Sequence, residues 1–194
     1  MDVIDTLAGI VPGSRMDAVR DGRKVARTHA QKSYEVLLTP AEPGDFTVAA
    51  RFAIAAYVAG LHHGGVTADH YADGLATHGG AALAQAVAEA VAQTAAEGPR
   101  GAYPPGPLSA EDTPAPAFAL SASVTQALGP KLVAGFDYAH YLVFHPRDAA
   151  AARFAPLTAA GWTEDTIVSL SQLASFLAFQ IRVVAGLSVL AATP

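Results

Sequence analysis

Residues 157–194 read LTAAGWTEDTIVSLSQLASFLAFQIRVVAGLSVLAATP. Thr163 suits a helix N-cap, and Glu164 and Asp165 put carboxylates at the positive end of the helix dipole. From Ile167 onward Arg182 is the single charged residue. A helix apolar on nearly every side belongs inside a protein. The rest of the chain is therefore expected to wrap around this element.

Composition fits that expectation. Hydrophobic residues make up 52% of the 194 positions and charged residues only 15%, so a single core is easily filled. The apolar content is mostly Ala with Val and Leu. Ala-rich helices pack closely and leave apolar surface over, which predicts a homo-oligomer, as a dimer, trimer or hexamer. The net charge of -5 is mild, and no basic run carries interleaved aromatics, so nucleic acid is not an expected partner. The basic cluster Arg20, Arg23, Lys24 and Arg27 reads as a solvated helix face. The first residues are acidic and lack a basic leader, and the uncharged run Thr166–Ile181 is interrupted by Ser and Gln. A cytoplasmic protein with no membrane span is expected.

Working back from the final helix, the chain divides at its Gly and Pro residues. Short helices are expected at Val3–Ile10 and, capped by Ser14, to Asp21. Arg23–Leu38 follows a helical period, and the turn TPAEPGD ends it. Phe46–His63 is a second strongly apolar helix with Thr47 as its cap, broken by Gly64-Gly65. Thr67–His78 and Ala81–Glu97 follow, separated by Gly79-Gly80. Residues 98–121 hold six prolines and read as an extended arm pinned down by Tyr103, Leu108, Phe118 and Leu120. Beyond it come a short helix from Ser121 or Ser123 to Leu128, a helix from Pro130 to His145, and another over Asp148–Ala160. No stretch alternates as a strand would. The chain is expected to be a single all-α domain, residues 1–194, of eight to ten helices. The runs Leu38–Leu61 and Leu157–Leu187 both pass from Leu-Thr through a capped turn into a long apolar helix ending near Ala-Gly-Leu. They form a weak internal repeat, as if the domain had two pseudo-equivalent halves.

The run Gly161–Leu187, GWTEDTIVSLSQLASFLAFQIRVVAGL, resembles the carboxymuconolactone decarboxylase and alkylhydroperoxidase-D-like superfamily, in its peroxidase-related branch. Phe179, Gln180, Arg182, Val183, Gly186 and Leu187 carry the match. GAYPPGPL at Gly101–Leu108 and HYLVFHPRDA at His140–Ala149 are similar to a cysteine-poor subgroup. The resemblance implies a multi-helix bundle with a Glu, a redox-active Cys pair and a His. Anchored on Gly60-Leu61, the Glu falls at Phe52, the two Cys at Gly64 and Thr67, and the His at or beside His70. Two residues along, Ala50, His62 and Gly65 take the Glu and Cys positions. Neither register supplies a Cys or the Glu, and the chain has no cysteine at all. Thiol–disulfide peroxidase chemistry is thereby excluded.

Histidines offer other chemistry. His62, His63, His70 and His78 cluster around the Gly64-Gly65 break, with Asp69 and Asp73 available as further metal ligands. Alternatively, His62 and His63 read as a helix C-terminal cap, and His70 as a proton-transfer group. Asp137, His140 and Tyr141 share a helical face, which would let Asp137 orient His140 as a base. The alternative is a self-satisfying polar ladder. Candidate catalytic residues are His70, His63 and His140. Candidate substrate contacts are Tyr57, His62, Tyr138 and Gln180. Gln172 and Gln180 are expected to share one face. Arg182, read as buried with Asp137, Asp45 or a residue of another subunit as partner, is assigned a structural role, as is Asp137. No cofactor or metal is assigned. Three functions remain open: binding or proton-transfer chemistry on a small organic molecule in an apolar pocket, a non-catalytic partner subunit, and a peroxidase acting by another route. The first requires His70 and His140 to share a cavity.

Overall fold

The structure, a computed structural model, describes residues 2–193. Among them are eight α-helices: α1 (Val3–Leu7), α2 (Arg15–Asp21), α3 (Lys24–Leu38), α4 (Val48–Leu61), α5 (Val66–Thr94), α6 (Ala122–Phe144), α7 (Phe154–Ala159) and α8 (Glu164–Ala192). There is no strand among the described residues, only an isolated bridge between Gly101 and Thr113. The expected caps are in place. The side chains of Ser14, Thr47, Ser121 and Thr163 each accept a first-turn backbone N–H. α5 kinks at Gly80 and α6 at Gly129, where φ is 81° and 75°. Both lie at breaks expected from Gly-Gly and Gly-Pro, because these left-handed positions favour glycine. The expected Asp148–Ala160 helix shrinks to two 3₁₀ turns and the short α7.

The central element is α4 rather than α8. Every side chain from Arg51 to Ala59 is buried, and α4 packs on α5, α6 and α8. α8 instead covers the bundle with one face, burying Leu170, Leu173, Leu177 and Ile181. Val168, Phe179, Val189 and Leu190 remain exposed. α8 is long and apolar enough to cross a membrane, yet 44% of its most apolar window is buried in the molecule. The expectation that the chain wraps around α8 is therefore corrected.

The N-terminus forms a smaller core in which Val3, Ile4, Met16 and Ala30 pack against Val184 of α8. Above it, fully buried Asp5 accepts from Arg20 Nε at 2.8 Å and from Arg27 Nε at 2.9 Å. Arg20 also reaches Asp2, and Arg27 reaches Asp17 and Asp21. Arg20 and Arg27 thus turn inward to carboxylates. They do not form the solvated face their spacing suggests.

The Pro-rich arm lies on the bundle. Arg100 N donates to Phe144 O at 2.8 Å, Tyr103 lies under the Arg147 guanidinium at 3.9 Å, and Phe118 packs on His140. Leu108 is 52% exposed and pins nothing.

Candidate functional site

α4 ends in a Schellman turn. His63 N donates to Gly60 O and Gly64 N to Ala59 O, both at 3.0 Å. His62 is the C-cap, and His63 holds the left-handed position with φ 51°. Glycine is the usual residue there, since any Cβ crowds the backbone. Gly65, also left-handed at φ 52°, then starts α5. The turn presents two imidazoles at one end of a cleft of about 510 Å³. Its apolar walls include Leu61, Leu142, Phe144, Ala174 and Ala178, and its polar groups are His62, His63, Glu97, Ser175 and Arg182.

His62 is half-buried, and its Nε2 is buried without a hydrogen-bond partner. Burial, then the charge of Arg182, then His63, push its pKa below the ordinary histidine value. His62 is therefore a neutral imidazole at pH 7 with an uncommitted ring nitrogen. Arg182 is exposed, not buried as expected, and donates to Ala178 O of its own helix at 2.7 Å. It pairs with neither Asp137 nor Asp45, nor with any other carboxylate among the described residues. Glu97 lines the same cleft but pairs with Arg100, so the Arg182 guanidinium is left to favour an anionic group beside it.

The other candidates lie elsewhere. His70 is half-buried and shares a 2.9 Å hydrogen bond with the Tyr34 hydroxyl. Burial lowers its pKa, with Asp73 opposing. His140 is fully buried and donates from Nε2 to Thr94 O at 3.2 Å, with Phe144 and Phe118 against its ring. Burial brings its pKa down to about 4, the Thr94 hydrogen bond opposing. His70 and His140 line none of the three cavities described, so the expected proton-transfer reading built on that pair fails; the histidines that reach a cleft are His62 and His63. Asp137 makes no hydrogen bond to His140; it is half-buried, and burial raises its pKa against the opposing charges of Arg153 and His145. Tyr57 bonds Thr94 Oγ1 at 2.7 Å and stacks on Phe136, while Tyr138 bonds Ser171 Oγ at 3.2 Å. Both side chains are committed to packing.

Gln180 is fully buried and accepts from the Tyr71 hydroxyl, while its Nε2 and the Thr67 Oγ1 have no partner. Gln172, eight residues earlier, is exposed. Eight residues advance a helix by more than two turns, which rotates the two side chains onto different faces. At Phe52, one of the two Glu positions in the resemblance, the aromatic ring stacks on His78 at 4.7 Å. A Cβ at Gly64, a Cys position in that register, would lie 3.1 Å from Ala59 O. Among the described residues, no three His, Asp or Glu side chains converge to hold a metal ion.

The placing of Arg182 was missed, although α8 carries a signal for it. Ser175, Ala178 and Arg182 follow at helical spacing, so two small side chains open the space that a long one overhangs. No protein-family model matches the chain, and no curated protein or solved structure matches it significantly.

Proposed function

We propose that this chain is a cysteine-free relative of the carboxymuconolactone decarboxylase and alkylhydroperoxidase-D-like proteins that binds a small organic carboxylate in the cleft beside α8. His62 moves a proton to or from the bound molecule. The observation that carries the site is that His62, whose Nε2 has no hydrogen-bond partner, lines one cleft with Arg182, which has no counter-ion among the described residues. The guanidinium takes the carboxylate, the apolar walls take the carbon skeleton, and the neutral imidazole faces the remainder. The family reading is supported by the match at Phe179–Leu187. It is supported further by the aromatic–Thr entries to α4 and α8, whose Phe46 and Trp162 rings meet edge to face at 5.0 Å.

The test uses histidine-ring NMR with benzoate as binding probe and a 2-oxo acid in deuterated water as proton-exchange probe. Benzoate should shift the His62 and His63 resonances in the wild type and not in Arg182→Ala. Exchange of the 2-oxo acid's C3 proton, next to the ketone, should be faster than background and lost in His62→Gln. If benzoate leaves both rings unmoved, the cleft is not a carboxylate site. Binding without exchange reduces the cleft to a binding module.

A further inference from the structure

A second apolar feature adjoins the cleft along α8, the two sharing Ser175. Ala26, Ala30 and Ser33 of α3 and Val168, Gln172 and Phe179 of α8 line a shallow groove. Val36 at 51%, Val168 at 55%, Phe154 at 43% and Phe179 at 47% are exposed along it. No Asp, Glu, Lys or Arg lines the groove, and His29 is its one titratable side chain.

Its two ends are charged, with opposite signs. α3 and α8 run antiparallel along the groove. Leu37 O, near the end of α3, accepts from Arg51, whose guanidinium lies on Phe46, which meets Trp162 just before α8. Ala30, earlier in α3, packs instead with Val184, late in α8. One end of the groove therefore carries Arg23 and Lys24 at the start of α3. The other carries Glu164 and Asp165 at the start of α8. Arg23, Lys24, Glu164 and Asp165 are exposed and form no ion pair among the described residues.

We infer that this face is the contact between two copies of the chain, related by a two-fold axis that lies in the contact plane and crosses the groove near Gln172. Such an axis exchanges the ends, setting each acidic end on the partner copy's basic end. A two-fold axis along the groove would instead set like charges together. The uncharged floor suits a self-contact, in which a central charge would meet its own copy. The exchange of ends also sets Phe179 of each copy toward the partner's exposed Val36, Phe154 and Val168, so apolar surface meets apolar surface.

The absence of cysteine makes the test clean. In the full-length chain, Gln172→Cys should form a disulfide dimer under mild oxidation, and Gln126→Cys, exposed on α6, should not. Sedimentation velocity over a dilution series should show a reversible dimer that weakens with added salt. Phe179→Glu should weaken it at least ~30-fold, about the loss of one interface anchor. Val168→Lys is a second variant at an exposed position, and Glu164→Lys with Asp165→Lys should also weaken the dimer. Circular dichroism checks that each variant is folded. A monomer at every concentration overturns the inference, whether or not the face then binds lipid vesicles. So does a dimer indifferent to both Phe179→Glu and Val168→Lys. The test separates this face from the carboxylate cleft, because Phe179 and Val168 line the groove alone while Ser175 lines both.

Discussion

The phenol of Tyr71 donates to Oε1 of Gln180 across the seam between α5 and α8, with both side chains fully buried. Burial raises the Tyr71 pKa, with Tyr34 nearby adding to the shift and the bond to Gln180 opposing it. Removing one partner strands the other. Tyr71→Phe should cost about 1–3 kcal/mol, and Gln180→Leu a similar amount. The double variant should cost much less than the sum, because no orphaned partner remains. Urea denaturation of the four proteins checks this. Additive losses would show that the bond contributes nothing.

His140 makes stability depend on pH. In the folded chain its ring stays neutral down to about pH 4, because burial disfavours the charge. In the unfolded chain it takes up a proton near its ordinary value of 6.5. Between those values the unfolded state binds more protons, so stability falls as pH drops through 6.5 and stops falling on this account near 4. The loss should be on the order of 2–3 kcal/mol. His62 and His70 have depressed pKa values too and act in the same direction. Unfolding free energies between pH 7.5 and 4.5 should show this slope, and His140→Gln should flatten it.

These features differ in how far the sequence revealed them. The caps at Ser14, Thr47, Ser121 and Thr163 and the breaks at Gly80 and Gly129 were legible because each is decided within a turn of backbone. The breadth of α8's apolar surface was legible too, but not which side would be covered. An all-apolar helix reads alike in a core and at a flank, and only the packing of α4 decides between them. The His62–His63 turn was visible from Gly64-Gly65. The cleft was not, since its other walls come from α6 and α8. Partnerships across long separations, such as Tyr34 with His70 or Arg27 with Asp5, leave no local pattern.

His63 occupies a backbone conformation that suits glycine. His63→Gly should therefore stabilise the chain by about 0.5–1 kcal/mol, since the cost of a Cβ at this turn disappears. Benzoate binding should weaken in the same protein if the ring serves the cleft. Thermal unfolding and the NMR titration measure both quantities on one sample. Unchanged stability would mean that the turn carries no strain.

Asp5 has no exposed surface and gathers two arginines. Asp5→Ala should cost about 3–5 kcal/mol, because Arg20, itself buried, would lose its main counter-charge. Hydrogen exchange should show the loss concentrated in α1, α2 and the first half of α3. An evenly spread loss would mean that the smaller core does not behave as a unit.

Trp162 is the chain's single tryptophan, so its fluorescence reports one place, the junction of the two repeated entries. Its Nε1 donates to Lys131 O at 2.8 Å, and its ring meets Phe46. Gly135 of α6 lies beneath it, where an added Cβ would fall 2.7 Å from Trp162 Cζ2 and 3.3 Å from Ile54 Cδ1. A rigid indole fixed at its nitrogen cannot slide away without losing that bond or the Phe46 contact. Gly135→Ala should therefore cost about 1–3 kcal/mol through overpacking. The folded-state emission should shift red as the ring is pushed toward water. If stability falls with the emission unchanged, Ile54 has yielded instead and the indole is the firmer wall.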